Sequence, residues 1–430
     1  MAVDFAVLIG IYLWTKKEAV MLTLNLIHTL AFAGVILFIG YGLCRVIRPL
    51  SQYNIPAPVV GGLLVAIIVL VARTQGVTLF QFDTTLRDPL MIAFFTTIGF
   101  GASLSLLKVG GPQVLVFFLI CTVFAVFQNV LGAGIAVLFR LHPLFGVLGG
   151  SVTLTGGPAT GLAFAPLFEQ AGVKGAASIA IAAAMFGIIC GGLIGGPIGT
   201  ILIERRRLKK ARGHPLETPA VTADDMIEDK LPEPKTEAPV GEDKEAYILL
   251  KNIVVLLIAM WIGSWLSRGF AALGFTLPAY IGGMFVAAII RNFDDLTKLV
   301  GLSQRTLDDL GHVALSLFIV IALMTLKLWE LAGLVLPLVV ILVAQVAMIA
   351  LACFWPLFQL MGRDYDSAVM SGGFCGFMLG TVANSMAIMK ALVDRYGRAP
   401  RAFLVVPMVG AFFIDFANAL LITVFLNIFR

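Results

Sequence analysis

The chain has 430 residues, of which 60% are hydrophobic and only 13% are charged. Soluble domains carry about 25% charged residues, so the composition excludes an ordinary water-soluble domain. The net charge of +5 falls mostly in predicted loops, which fits the cation excess beside membrane helices better than nucleic-acid binding. No disulfide framework is indicated, because all five cysteines lie in or beside apolar runs.

Apolar runs of about 20 residues recur along the chain and predict ten membrane-spanning helices. In the first half we place them at 23–46, 57–73, 89–107, 114–138 and 177–203. In the second half we place them at 247–270, 278–291, 308–327, 332–357 and 402–427. The segment 278–291 is too short to span straight, so we expect it to run past Arg291 or to be broken.

The two halves of the chain repeat one another. The sequence IPAPVVGGLLVA at 55–66 matches LPAYIGGMFVA at 277–287, and other segments match at a similar offset. A duplicated, very apolar chain with Gly-rich breaks at matching places is typical of secondary transporters. Because each half has five predicted spans, the second half is expected to lie inverted in the membrane.

These patterns divide the chain into four parts. Residues 1–22 are an N-terminal extension without a counterpart, and 23–203 form the first repeat. Residues 204–246 are rich in charge and proline, which predicts a disordered linker. Residues 247–430 form the second repeat. With the linker in the cytoplasm, most Lys and Arg residues fall on the cytoplasmic side, as the positive-inside rule requires.

A Gly-rich segment lies between the fourth and fifth spans of each half. We predict re-entrant hairpins at about 145–168 and about 367–390, with tips at Gly157 and Gly373. Non-helical backbone survives at membrane depth only inside protein or beside a water-filled cavity, and its N–H groups can bind anions. The alternative is that the glycines only allow helices to pack closely.

Polar residues of the two hairpins and the last span are the candidate ligands. Hydroxyls and amides suit both carboxylate recognition and sodium coordination. The candidate substrate-binding residues are Thr155, Gly156, Gly157, Thr160, Ser371, Gly372, Gly373, Thr381, Asn384, Ser385 and Asp415. The candidate sodium ligands are Asp415, Asn418, Thr153 and Ser151.

Asp415 is the strongest single candidate for a functional role among these residues. It is the only ionisable side chain between Ala402 and Phe429, and a carboxylate in mid-span costs about 2.5–3.5 kcal/mol. Asn418 follows at i+3 on the same helix face, so the pair could hold a sodium ion or a substrate ammonium. The alternative is a structural hydrogen bond to a broken helix nearby.

Other polar residues interrupt the fourth and ninth spans. For Gln128, Asn129 and Gln345 we favour interhelical hydrogen bonding over a direct role in a site. The sequence contains no nucleophile elbow, P-loop or metalloprotease motif. We therefore predict that the protein is not an enzyme and carries no cofactor.

Several motifs resemble the bacterial sodium/glutamate symporter family. They are IPAPVVGGLLVA, RDPLMIAFF, SVTLTGG, GGLIGGP, LKLWELA and FLVVPMVGAFFID. The resemblance runs from about Leu24 to the C-terminus, apart from the linker. It implies an all-α polytopic membrane protein, related in architecture to the 2-hydroxycarboxylate transporters, with two inverted five-helix repeats, two re-entrant hairpins, a homodimer and elevator-type alternating access. It also implies sodium-coupled uptake of glutamate across the bacterial cytoplasmic membrane.

The substrate is less firmly indicated than the scaffold. The family pattern has a His after each Gly pair, and this chain has Pro158 and Phe374 there. No Lys or Arg lies deep in a span, and Asp415 would attract an α-ammonium group, which favours an anionic amino acid. The alternatives are a sodium- or proton-coupled carrier of another small carboxylate and, in another class, an anion channel or membrane sensor.

Overall fold

The computed structural model describes residues 22–208, 243–272, 278–331 and 333–430. Most of the predicted N-terminal extension and of the predicted linker therefore lies outside the described residues. On either side of the linker, helices continue to Arg205 and resume at Lys244.

The first half of the chain is built from helices of very different lengths. They are α1 (Leu26–Val46), α2 (Arg48–Gln52), α3 (Ala57–Thr74), α4 (Arg87–Gly101), α5 (Leu104–Leu138), α6 (Pro143–Val147), α7 (Gly157–Gln170) and α8 (Ala176–Arg205). A π-helical turn at Leu148–Val152 follows α6. Helix α5 is kinked at Gly111, whose φ of 71° lies outside the helical region.

The second half follows a similar order. Its helices are α9 (Lys244–Ala272), α10 (Ala279–Thr297), α11 (Gln304–Met324), α12 (Val335–Ala352), α13 (Phe358–Leu360), α14 (Tyr365–Met378), α15 (Val382–Tyr396), α16 (Pro400–Phe412) and α17 (Ile414–Phe429). A 3₁₀ turn at Leu328–Leu331 precedes α12, and a π-helical turn at Cys353–Leu357 follows it.

Each of the ten predicted spans corresponds to a helix or to a broken helix. Among the described residues, 7 helices are long and apolar enough to cross a membrane, and α16 with α17 adds one span bent by 43°. The third predicted span was too long, because α4 ends at Gly101. The short seventh span does continue past Arg291, because α10 runs to Thr297.

A small sheet at the start of the described chain was not predicted from the sequence. Strand β1 (Leu22–Leu24) pairs in parallel with β2 (Phe80–Phe82). The ring of Phe32 on α1 lies 5.7 Å from Phe80 and 5.9 Å from Phe82. Two strands of three residues each are too short to show a clear alternation of apolar and polar side chains.

The helices pack in two groups. Helices α1, α3, α4, α9, α10 and α11 pack against one another, and close approaches such as Gly263 of α9 on Gly283 of α10 bring their backbones together. Helices α5–α8, α12 and α14–α17 form the other group. Sparser contacts, including α7 with α11 and α10 with α17, join the groups.

Candidate functional site: two facing helix breaks

The first break lies between α6 and α7. At Gly150 the backbone is non-helical (φ −103°, ψ −132°), and a Cβ there would lie 2.9 Å from the carbonyl oxygen of Gln128 on α5. The chain then turns, with the N–H groups of Thr155 and Gly156 donating to the carbonyl of Ser151 at 3.3 and 3.0 Å. Helix α7 begins at Gly157, whose φ is 68°. Glycine is favoured there because side chains disfavour a left-handed backbone.

The second break lies between α14 and α15, at residues 379–381. Thr381 caps α15, and its Oγ1 accepts a hydrogen bond from the N–H of Asn384 at 3.3 Å. A Cβ at Gly380 would lie 2.7 Å from Asn384 Nδ2. The Asn384 amide is itself occupied, since it donates to Ile188 O at 2.8 Å and accepts from Asn54 Nδ2 at 3.2 Å.

The two breaks face each other directly. A Cβ built on Gly157 would lie 3.9 Å from both the carbonyl oxygen of Gly380 and Cγ2 of Thr381. Two helices, α7 and α15, therefore start at the same place, and their first N–H groups lack partners within the helix. This arrangement is suited to binding an anion without a basic side chain.

Three predicted residues of the second hairpin lie elsewhere. Ser371, Gly372 and Gly373 are buried in the interior of α14, several residues before the break. Ser371 Oγ donates to Ser367 O at 2.8 Å within the same helix. A Cβ on Gly373 would lie 2.7 Å from Met389 Sδ. The prediction of a tip at Gly373 was wrong, and close helix packing explains this Gly pair.

Phe374 is likewise part of the core. It is fully buried, and its ring lies edge-to-face at 6.0 Å from Phe117 and at 5.8 Å from Phe124. Pro158, in contrast, lies in the first turn of α7 at the first break. Of the two departures from the family pattern, only the one at Pro158 adjoins a break.

Ser151 lies at the centre of a buried polar cluster. Its N–H donates to Asn129 Oδ1 at 3.0 Å, and its carbonyl accepts from Asn418 Nδ2 at 2.9 Å. Three further atoms, Asn129 Nδ2, Ser151 Oγ and Asn418 Oδ1, are buried with no hydrogen-bond partner among the described residues. Leaving a buried polar atom unpaired costs about 1–3 kcal/mol, so the cluster is suited to a ligand.

Asp415 does not lie in mid-helix. The last span breaks at Phe413, and Asp415 falls in the first turn of α17, where the helix dipole favours a negative charge. It is half-buried and has no ion pair or hydrogen bond within the described part of the chain. Asn418 lies one turn further along, so Asp415 shares a helix face with a member of the buried cluster.

The remaining candidates lie around the first break. Thr155 Oγ1 donates to Gln128 Oε1 at 2.7 Å, and Thr153 Oγ1 donates to Leu148 O at 2.7 Å. Thr160 is buried in the first turn of α7, facing Gly156. At the second break, Ser385 Oγ is buried and lacks a partner in the described regions.

Gln128, Asn129 and Gln345 do make interhelical hydrogen bonds, as predicted. Gln128 Nε2 donates to Met378 O at 2.9 Å, beside the second break, and Gln345 Nε2 donates to Gln128 O at 2.7 Å. Sequence reasoning missed that these bonds converge on the breaks. The available signal was an adjacent pair of amides in an otherwise apolar span.

Arg87 was also missed as a neighbour of this region. It is the first residue of α4, and its Nη2 donates to Leu162 O on α7 at 3.5 Å. Its Nε atom is buried without a partner among the residues described. The side chain therefore places a positive charge beside α7, about 7.5 Å along the helix from the first break at 1.5 Å per residue.

The fold and the site together define a multi-pass helical membrane protein with a buried polar site where two broken helices meet. Comparison with known proteins gives its family. The sequence profile of the sodium/glutamate symporter family matches residues 22–398. The chain therefore belongs to that family, which is one of transporters rather than enzymes.

Known members of the family are similar over nearly their whole length. The sodium/glutamate symporter of Escherichia coli (strain K12) is 40% identical over 407 residues, which cover 94% of this chain and 98% of that protein. The sodium/glutamate symporter of Haemophilus influenzae is 39% identical over 403 residues, which cover 94% and 97% of the two chains. The similarity includes both breaks, which lie inside the matched region.

Proposed function

We propose that the protein is a sodium-coupled symporter that carries L-glutamate, or a close anionic amino acid, into the cell. The observation that carries the proposal is the pair of facing breaks, with two helix N-termini and unpaired buried polar atoms beside them. Family membership supports the same function, since similar proteins are named sodium/glutamate symporters.

The substrate carboxylates bind at the two breaks. The first N–H groups of α7 and α15 and the hydroxyl of Thr381 supply hydrogen-bond donors. The Thr155 hydroxyl donates its hydrogen to Gln128 Oε1 and positions the first break instead. The guanidinium of Arg87 lies beside α7 and draws the anion towards the first break. Asp415 attracts the α-ammonium group and disfavours a simple dicarboxylate, which supports an amino acid over a hydroxy acid.

Sodium binds at the cluster around Ser151. Sodium ions prefer oxygen ligands, and Ser151 Oγ and Asn418 Oδ1 are two buried oxygens without partners in the described regions. Asp415, on the same face of α17 as Asn418, adds the negative charge. Thr153 Oγ1 keeps its lone pairs while it donates to Leu148 O and is a further ligand. Asn129 Nδ2 is a donor and suits a substrate oxygen rather than the cation.

The chain is two inverted repeats, 23–203 and 247–430, each with a re-entrant hairpin. Two features support this assignment. In each half the first three spans join one packing group, and the fourth span, the break and the fifth span join the other. The sparser contacts between the groups fit an elevator mechanism, in which the group that holds the breaks slides against the other, which forms the homodimer contact.

The protein lies in the bacterial cytoplasmic membrane with its linker in the cytoplasm. The excess of cations on the linker side supports this orientation. It sends the first hairpin in from the outside and the second from the cytoplasm, so that each break opens towards a different side during alternating access.

Uptake into proteoliposomes tests the function. Purified protein should accumulate radiolabelled L-glutamate when a sodium gradient is imposed, and choline in place of sodium should abolish accumulation. If uptake in choline with a proton gradient equals uptake with a sodium gradient, the coupling ion is the proton and not sodium. A panel of competing carboxylates and amino acids identifies the substrate, and glutamate should compete best.

Counterflow separates a carrier from a channel. Vesicles loaded with unlabelled glutamate should take up labelled glutamate transiently above its outside concentration, because a carrier exchanges solutes one for one. Simple equilibration without overshoot would favour the channel, and the absence of any flux would favour a sensor.

A further inference from the structure

We propose that Gln128 couples the sodium site to the substrate site, so that each ligand strengthens the binding of the other through this one side chain. The inference rests on the proposed function and assigns Gln128 as a positioning residue, not as a ligand. It also explains why two adjacent amides, Gln128 and Asn129, interrupt an apolar span.

Gln128 bridges the two breaks. Its Oε1 accepts from Thr155 Oγ1 at 2.7 Å on the first break, and its Nε2 donates to Met378 O at 2.9 Å beside the second. The side chain is fully buried, and Gln345 Nε2 supports the backbone carbonyl of the same residue at 2.7 Å. The bridge therefore sets the relative position of the two helix starts that face each other.

The adjacent residue reaches the sodium site. Asn129 Oδ1 accepts from the N–H of Ser151 at 3.0 Å, and the carbonyl of Ser151 is the acceptor for Asn418 Nδ2. That same carbonyl also accepts from the N–H groups of Thr155 and Gly156. A cation that draws in Ser151 Oγ and Asn418 Oδ1 therefore fixes the turn that carries Thr155, and Thr155 holds Gln128.

The consequence is a continuous path of hydrogen bonds. It runs from Asn418 through Ser151 to Thr155, and from there through Gln128 to Met378. Each contact is between buried groups, where water cannot replace a lost partner. When sodium orders the turn that carries Thr155 at the first break, it thus orders the second break as well. Substrate bound between the two breaks favours the same arrangement.

The test measures coupling rather than activity. Glutamate binding to the purified full-length protein is titrated by calorimetry in saturating sodium and in choline, and the ratio of the two dissociation constants is the coupling factor. Coupling between two sites is typically about 5–150-fold. In Gln128→Leu the ratio should fall towards 1, while glutamate in choline binds about as it does to wild type.

A second pair of variants removes the same bond from the other side. Thr155→Val deletes the hydroxyl that meets Gln128 and should lower the ratio, whereas Thr155→Ser keeps the hydroxyl and should keep most of the ratio. Thr122→Val is the matched control on α5, because its hydroxyl donates to Phe118 O of its own helix at 2.9 Å. Its ratio should equal that of wild type.

The outcomes separate the coupling from the function. A wild-type ratio in both Gln128→Leu and Thr155→Val overturns the role of Gln128 but leaves sodium symport intact. Weaker binding in both media at an unchanged ratio also overturns it, because this is the sign of a structural role alone. A wild-type protein whose glutamate binding ignores sodium overturns the proposed function, and the coupling with it. If Gln128→Leu does not fold, the Thr155 pair decides.

Discussion

Asn418 donates through Nδ2 to the carbonyl oxygen of Ser151 at 2.9 Å, so the last helix of the chain is tied directly to the first break. The bond joins residues that are 267 positions apart, and both side chains are buried. It also fixes the Asn418 amide with Oδ1 free to bind a cation. The position of the proposed sodium site thus depends on contacts between the two halves of the chain.

Removing either of the two unpaired oxygens, Ser151 Oγ or Asn418 Oδ1, should weaken sodium binding. In Asn418→Leu and Ser151→Ala we expect the sodium concentration for half-maximal uptake to rise by at least about tenfold, which corresponds to about 1.4 kcal/mol. Thr423→Val is the control on the same helix, since its buried hydroxyl donates to Ala419 O at 2.8 Å. Sodium titration of uptake at fixed glutamate measures the shift, and equal shifts in all three variants would remove the site from this cluster.

Loss of the carboxylate at Asp415 should abolish coupled uptake. Asp415→Asn keeps the size of the side chain but removes the charge that balances the cation or the substrate ammonium. We expect accumulation driven by sodium to fall by at least about tenfold, with the protein still folded by gel filtration. Asp394→Asn, an exposed carboxylate on α15, should transport normally. Near-normal uptake by Asp415→Asn would make Asp415 a structural residue.

The sequence predicted more of the scaffold than of the site. Helix positions follow from local apolar runs, and each of the ten predicted spans corresponds to a helix or to a broken helix. The breaks depend on which backbones approach one another, which a local pattern does not contain. The first hairpin was located well because Gly157 lies at the turn itself. In the second hairpin, predicted at about 367–390, the tip was misplaced, because Gly372 and Gly373 serve to pack α14 against α15 and α8.

The role of Phe374 illustrates the same limit. In the sequence, Phe374 and Pro158 occupy matching positions, because each follows a Gly pair. In the structure, the ring of Phe374 is buried against Phe117 and Phe124. Only tertiary packing distinguishes the two positions. Ser151 and Asn418 could both be chosen from the sequence as sodium ligands, whereas the bond between them could not.

Phe374→His should therefore affect stability and not substrate choice. A buried polar group without a partner costs about 1–3 kcal/mol in proteins, so the melting temperature should fall. The order of competing substrates in uptake should stay as in wild type. Phe374→Leu serves as the control, because it removes the ring contacts without burying a polar group. A changed substrate order in Phe374→His alone would return this position to the binding site.

The base of the second hairpin should be sensitive to acid. Burial raises the pKa of Asp364, but hydrogen bonds from Ser367 and the charge of Arg401 outweigh it, so the pKa lies below its usual value. A lowered pKa stabilises the folded state above the ordinary aspartate pKa of about 3.9, and this contribution is lost as pH falls through the folded-state value.

The comparison of Asp364→Asn with wild type isolates this effect. The variant should melt at a lower temperature at pH 7. The difference should shrink as the pH falls below about 4 and through the lowered folded-state pKa, where the wild-type carboxylate becomes protonated. Asp309→Asn, at an exposed position on α11, should change the melting temperature little at either pH. A difference that stays constant with pH would mean that the negative charge of Asp364, with its contacts to Ser367 and Arg401, contributes nothing to stability.

Thiol labelling should distinguish the break from the packing glycines. In a background without the native cysteines, a single Cys at Gly157 points towards Gly380 and Thr381 across 3.9 Å, whereas one at Gly373 meets Met389 Sδ at 2.7 Å. We expect Gly157→Cys to react with a membrane-impermeant reagent and glutamate with sodium to slow the reaction severalfold. Gly373→Cys should stay unlabelled in every condition. Labelling at Gly373 with full protection at Gly157 would reverse the assignment and move the site into α14.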